Sequence, residues 1–128
     1  MIPSFIVPET EIRNSGVSEP IDLGLERADS LLITLGITRI VEQESLDVSI
    51  EGSENGNDWA VKPMVAFSQK FYCGSYQILL NLKAYPRARY LRARWSVNRW
   101  GKGDTKPLFG FYVFAQRPGF RTVAGSAA

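Results

Sequence analysis

The sequence predicts an all-β protein, a single antiparallel β-sandwich of jelly-roll type with seven to nine strands. Three observations carry that prediction. Apolar residues recur with period two, as in Leu46/Val48/Ile50 and Leu91/Ala93/Trp95/Val97, the pattern of a half-buried strand. No segment sustains a helical period over ten residues. Turn signals, among them Ser15-Gly16, Glu19-Pro20, Asn55-Gly56 and Tyr85-Pro86, recur about every ten residues, as in a sandwich or jelly roll and not a βαβ fold.

Taken in order, residues 1–10 are apolar but interrupted by Pro3 and Pro8. Proline removes a ladder donor, so they read as an extended N-terminal arm or an edge strand. Ile2, Phe5, Ile6 and Val7 are too apolar to stay in water. The arm is expected to add to a neighbouring subunit, with packing on its own sandwich as the alternative. Residues 11–116 form the sandwich. Within it, Ser30 to Ile37 is apolar at nearly every position, which suits a central strand covered on both faces. Gly36 signals a bulge or a close backbone approach. Leu46 to Glu51 alternates, with Asp47, Ser49 and Glu51 facing out. Residues 52–59, GSENGNDW, read as a tight hairpin turn at Asn55-Gly56, from which Trp59 returns to the core. Pro63 to Phe67 is a short strand, and residues 68–75 form a loop carrying Phe71, Tyr72 and a buried or half-buried Cys73. Tyr76 to Lys83 is a strand with Tyr76, Ile78, Leu80 and Leu82 on one side. Residues 87–100, RARYLRARWSVNRW, put Leu91, Ala93, Trp95 and Val97 inward and Tyr90, Arg92, Arg94, Ser96 and Asn98 outward, with Trp95 almost fully buried. Gly101–Asp104 is a turn. Leu108 to Ala115 is again apolar on both faces, and residues 117–128 are expected to fray as a flexible tail.

The bulk composition bounds the function. A chain of 128 residues, 45% hydrophobic and 22% charged, has the size and make-up of one globular domain. No apolar run approaches the length needed to span a bilayer. The N-terminus lacks a basic region and a cleavage site, so no signal peptide is expected. The single cysteine makes no internal disulfide, which favours a reducing, cytoplasmic setting or an intracellularly assembled particle. The chain has no histidine, which removes the commonest general base and metal ligand. No nucleotide, zinc or nucleophile motif is present. An enzyme is not expected, nor any cofactor, metal or catalytic residue.

The net charge of +2 hides an asymmetry. Residues 1–60 hold twelve acids and three bases, −9; residues 61–128 hold one acid and twelve bases, +11. Either acidic strands of the first half pair with basic strands of the second, or the molecule is bipolar and docks on copies of itself. The faces Asp47/Ser49/Glu51 and Arg92/Arg94 are expected to meet, within one chain or between two.

Residues 45–59, SLDVSIEGSENGNDW, and 88–95, ARYLRARW, resemble a strand-hairpin pair found in discoidin-like, galactose-binding-like sandwiches and related modules of phage structural proteins. That resemblance covers 23 of 128 residues. It implies a jelly-roll sandwich and a non-enzymatic binding or assembly role. The terminal cysteine pair of discoidin-type domains is missing, as is the acidic cluster of a calcium-dependent sugar site, so the fold transfers more readily than sugar binding.

Two strands that are apolar on both faces need something to cover the second face. With the charge split, this points to a structural, self-associating module making protein–protein contacts. Phe5, Ile6, Asp47, Glu51, Arg92, Arg94, Arg99 and Trp100 are the expected interaction residues. The alternative is a carbohydrate-binding module using the loop aromatics Trp100, Tyr72 and Tyr85. Nucleic-acid binding through the basic strand 87–99 is a third reading, weakened by the inward position of Trp95.

Overall fold

The structure is a computed structural model that describes residues 3–24, 28–40, 44–99 and 108–118. It is an all-β antiparallel sandwich. The nine strands among the described residues are β1 (Ser4–Ile12), β2 (Gly16–Val17), β3 (Ile21–Asp22), β4 (Ser30–Ile40), β5 (Glu44–Ser53), β6 (Val65–Ala66), β7 (Gly74–Asn81), β8 (Tyr90–Arg99) and β9 (Phe109–Gln116). One sheet has the order β1-β9-β4-β7; the other runs β2-β8-β5-β6, with β3 also on β8. If β2 and β3 are counted as one position, the chain is a long hairpin folded on itself. Its first strand pairs with its last, its second with the second from last, and so inward to β5–β6. Rolled into two sheets, that hairpin has the order of an eight-stranded jelly roll. The break between β2 and β3 falls at Glu19-Pro20. Pro20 has no N–H to give, and the chain rejoins β8 on either side of it, through Ser18 N–H to Ala93 O and Leu23 N–H to Arg89 O.

The core fills the space between the sheets. Ile33, Leu35, Leu46, Val48, Ile50, Leu91, Ala93, Phe109, Phe111 and Val113 are essentially inaccessible, and they sit at the alternate positions the period-two pattern selects. β4 lies between β7 and β9, the central position expected of it, but only its Leu31/Ile33/Leu35/Ile37 side packs into the core; among the described residues no further layer covers the other side. A bulge follows Ile37. At Gly36 a Cβ would lie 2.2 Å from the Tyr112 ring, so the glycine makes room for that ring on the outer face.

Several expectations are corrected. The segment 1–10 packs on its own sheet: β1 pairs with β9 along its length, so the arm is the edge strand and not a free extension. Register shifts between Phe5 and Val7 and between Val7 and Thr10 re-aim the backbone. The consecutive Ile6 and Val7 are both buried, and Pro8 falls in the second irregularity, where the ladder asks nothing of it. Trp95 is half-buried rather than fully so. Its ring packs edge-on to Phe111, and its indole N–H needs a partner, found at Asn14 O 3.0 Å away; that places the ring where β8 meets the chain ahead of β2. Trp59 does not return to the core. It lies half-buried outside the five-stranded sheet, with the Arg92 guanidinium 4.2 Å from its ring centre. Cys73 is exposed, because it precedes β7 in a loop that covers no core.

Asn55-Gly56 forms a wider turn than a two-residue hairpin. Ser53 Oγ accepts from Asn55 N–H and Gly56 N–H and donates to Asp58 O, while Asn55 Oδ1 accepts from the amides of Asn57 and Asp58. Gly56 supplies a φ of 82°, open to glycine at no steric cost. The chain then loops out before pairing β5 again as β6.

Candidate functional site

The outer face of the four-stranded sheet carries a set of exposed and half-buried apolar side chains. Registry puts Phe5, Phe114, Thr34 and Gln77 in one row across the sheet, Tyr112, Gly36 and Ser75 in the next, and Gln116, Leu32 and Leu79 on the other side. Phe5 meets Phe114 edge-on at 4.9 Å and Tyr112 at 6.0 Å between ring centres. Phe5 is 49% and Leu79 56% exposed. Between the rings is a depression of about 410 Å³ lined by Phe5, Glu9, Thr34, Gln77, Tyr112, Phe114 and Gln116. Glu9 is the one charged residue in that lining. The face is apolar mainly because β9 turns Tyr112 and Phe114 outward, to which β1 adds Phe5, β4 Leu32 and β7 Leu79, with Thr34, Gly36 and Gln77 between them.

The five-stranded sheet carries the charge instead. Glu51 faces Arg92 across the β5–β8 ladder, and Ser49 faces Arg94. Arg92 Nε reaches Glu51 Oε1 and Arg94 Nε reaches Oε2, both at 2.8 Å. The Glu51 side chain is 8% exposed, against 17% for Arg92 and 52% for Arg94. Burial pushes its carboxyl up, but the hydrogen bonds from Arg94 and Arg92 outweigh burial and hold it below its ordinary value. The first and second halves of the chain therefore do meet through opposite charges within one chain. Asp47 is not part of this cluster. It faces Ser96 and accepts a hydrogen bond from Gln69.

At one end of that sheet lies an open groove of about 880 Å³. Gly52, Met64 and Ala88 form its floor; Trp59 and Tyr85 flank it, with Asn55, Asp58, Lys62 and Arg87 around the mouth. A Cβ on Gly52 would come within 2.7 Å of Met64 Sδ, so the floor is already closely packed.

The expected interaction residues thus separate. Phe5 is on the apolar face. Ile6 is buried in the core and cannot reach a partner. Arg92, Arg94 and Glu51 are bound to one another on the opposite sheet, and Asp47 lies on that sheet apart from them. Trp100 and the Arg99 side chain lie outside the described residues, as do Ile2, the Gly101–Asp104 turn and residues 119–128 of the tail. Tyr72 and Tyr85 do not form one platform: they flank opposite ends of β7, whose eight residues span roughly 26 Å. Tyr72 is 75% exposed, while the Tyr85 hydroxyl donates to Met64 O. Sequence reading passed over Tyr112, Phe114, Leu32 and Leu79. The signal for Leu32, Tyr112 and Phe114, two strands apolar at nearly every position, was present but did not say which parity faces out; Leu79 lies on β7, outside that signal.

Among the described residues no helix is long and apolar enough to cross a membrane. Comparison with protein-family models, curated proteins and solved structures gives no match.

Proposed function

We propose that the chain is a non-enzymatic assembly module that associates with copies of itself through the outer face of the β1-β9-β4-β7 sheet. The observation that carries this reading is the aromatic cluster Phe5–Tyr112–Phe114, with exposed Leu79 two strands away from Phe114 on the same face; the charges of that face are Glu9 and the paired Glu11 and Arg39 at its rim. Apolar surface of that kind is uncommon on a solitary soluble domain and gains free energy when another surface excludes its water. The exposed thiol of Cys73 fits a reducing compartment, where it stays free.

Light scattering of the full chain tests the proposal. The expected mass is a multiple of 14.3 kDa. Phe5→Asp, which puts a charge in the aromatic cluster, is expected to move it toward the single-chain value with the far-UV signal unchanged. A wild-type chain that stays at 14.3 kDa at every concentration would overturn the reading.

The groove favours a second reading, a carbohydrate-binding module, to which the galactose-binding-like resemblance belongs. Trp59 and Tyr85 offer ring surface there. It is the weaker reading because three of the polar side chains in its lining are already bonded within the chain. Tyr85 hydroxyl is bonded to Met64 O, and the Asn55 and Asp58 side chains are bonded to each other.

A further inference from the structure

We propose that self-association begins at a sheet edge: β7 pairs antiparallel with β7 of a second copy, joining two four-stranded sheets into one of eight. This rests on the self-association reading and names the contact that starts it.

The argument starts from the free backbone. β7 is hydrogen-bonded on one side to β4, and among the described residues no strand pairs with its other side. Leu82 N–H donates to Asp29 O at 2.8 Å, which fixes the parity of the ladder. In an antiparallel pair, residues alternate between those bonded to the neighbour and those turned away. Leu80, Ile78 and Tyr76 therefore bond to β4, while the amides and carbonyls of Ser75, Gln77, Leu79 and Asn81 point to the open edge.

Native sheets protect such edges with charge, proline, bulges or shortness. The other edges here are protected in just these ways. β1 carries Pro8, Glu9 and Glu11 and two register shifts; β2, β3 and β6 are two residues each. β7, GSYQILLN, has no charge, no proline and no bulge over eight residues.

A second copy of β7 is the partner that this edge fits best. An antiparallel homotypic pair is symmetric, so any charged side chain would meet its own kind near the axis; β7 has none. Centring the two-fold axis on Ile78 sets Ser75 against Asn81 and Gln77 against Leu79 of the partner. All four outward residues on each side are then paired, for about eight interchain hydrogen bonds. Leu79 and Gln77 stand on the outer face, so the pairing also joins the two outer faces edge to edge.

Amide hydrogen exchange on the full-length chain, read residue by residue with rising concentration, tests this together with Gln77→Pro. Proline at position 77 removes an outward donor and leaves the β4 ladder intact. The expected result is that the amides of Ser75, Gln77, Leu79 and Asn81 slow by about tenfold or more on association. Those of Tyr76, Ile78 and Leu80 should be slow throughout, and Gln77→Pro should halve the wild-type mass. If the wild type associates while those four amides exchange as in the dilute chain, edge pairing is overturned and self-association stands. If the wild type is 14.3 kDa at all concentrations, both are overturned. Should Gln77→Pro not fold, the exchange pattern of the wild type decides alone.

Discussion

Glu51 stands in an unusual place for a carboxylate, nearly inaccessible on a sheet whose neighbouring positions face water. Removing it from solvent is costly, and two guanidiniums at 2.8 Å offset that cost. The hydrogen bonds hold its folded-state value below the ordinary 4.5. A depressed carboxyl contributes stability that is complete above its unfolded value and is lost as pH falls through the folded one. Glu51→Gln is therefore expected to cost about 2–3 kcal/mol near neutrality, less than for a fully buried pair because the freed arginines can hydrate in part. The gap between variant and wild type in chemical denaturation should narrow as the pH drops below about 4.5; a gap that stays constant through that range would refute the assignment. Alternation in the sequence was enough to turn Asp47 and Glu51 outward on one strand and Arg92 and Arg94 outward on another. It could not tell which acid meets which base, because that depends on ladder register: Glu51 lies opposite Arg92, and Asp47 opposite Ser96.

At the level of elements, β1 is where local sequence and tertiary context diverge most. Pro3 and Pro8 mark residues 1–10 as unfit for a central strand, and the structure agrees. Whether the segment serves its own sheet or a neighbour's is a matter of topology, invisible in a ten-residue window. Here the rolled-hairpin order leaves β9 with one free side, and β1 fills it. Ile6 and Val7 complete the core. Deleting residues 1–9 is thus expected to destabilise the fold itself. Exposing those two positions costs roughly 3–6 kcal/mol at about 1.5–3 per side chain, a large share of the ~5–15 kcal/mol that holds a domain together. Thermal unfolding monitored by near-UV circular dichroism checks this. A truncated chain that keeps its melting temperature and loses only oligomer mass would show that the arm belongs to another subunit. β4 and β9 were more legible, since their long apolar runs without proline suit strands paired on both edges, but which of their residues face outward depends on the register and could not be mapped from the sequence.

For the whole molecule, the charge split of −9 and +11 between its halves is met in part by ion pairs within the chain. Arg92 and Arg94 hold Glu51, Arg89 holds Asp22, and Lys83 lies 3.9 Å from Asp29; each pair joins the second half to the first. The jelly roll makes this automatic, because a folded hairpin lays late strands beside early ones. The surface proposed for association is on the other sheet, where Glu11 and Arg39 pair with each other. Salt should therefore separate two properties that a bipolar, head-to-tail molecule would couple. Raising ionic strength from 0.1 to 1 M shortens the Debye length from about 10 to about 3 Å. Exposed pairs such as Arg89–Asp22 are each worth at most about 1 kcal/mol, so the single-chain fold should lose little stability. Association driven by apolar burial and backbone pairing has no such dependence, and sulfate, which is excluded from protein surface, should strengthen it. The expected outcome in light scattering is an oligomer mass that holds constant through 1 M sodium chloride and rises in sodium sulfate. An oligomer that dissolves to single chains as chloride rises would mean that charges, and not the Phe5–Tyr112–Phe114 face or the β7 edge, hold the copies together.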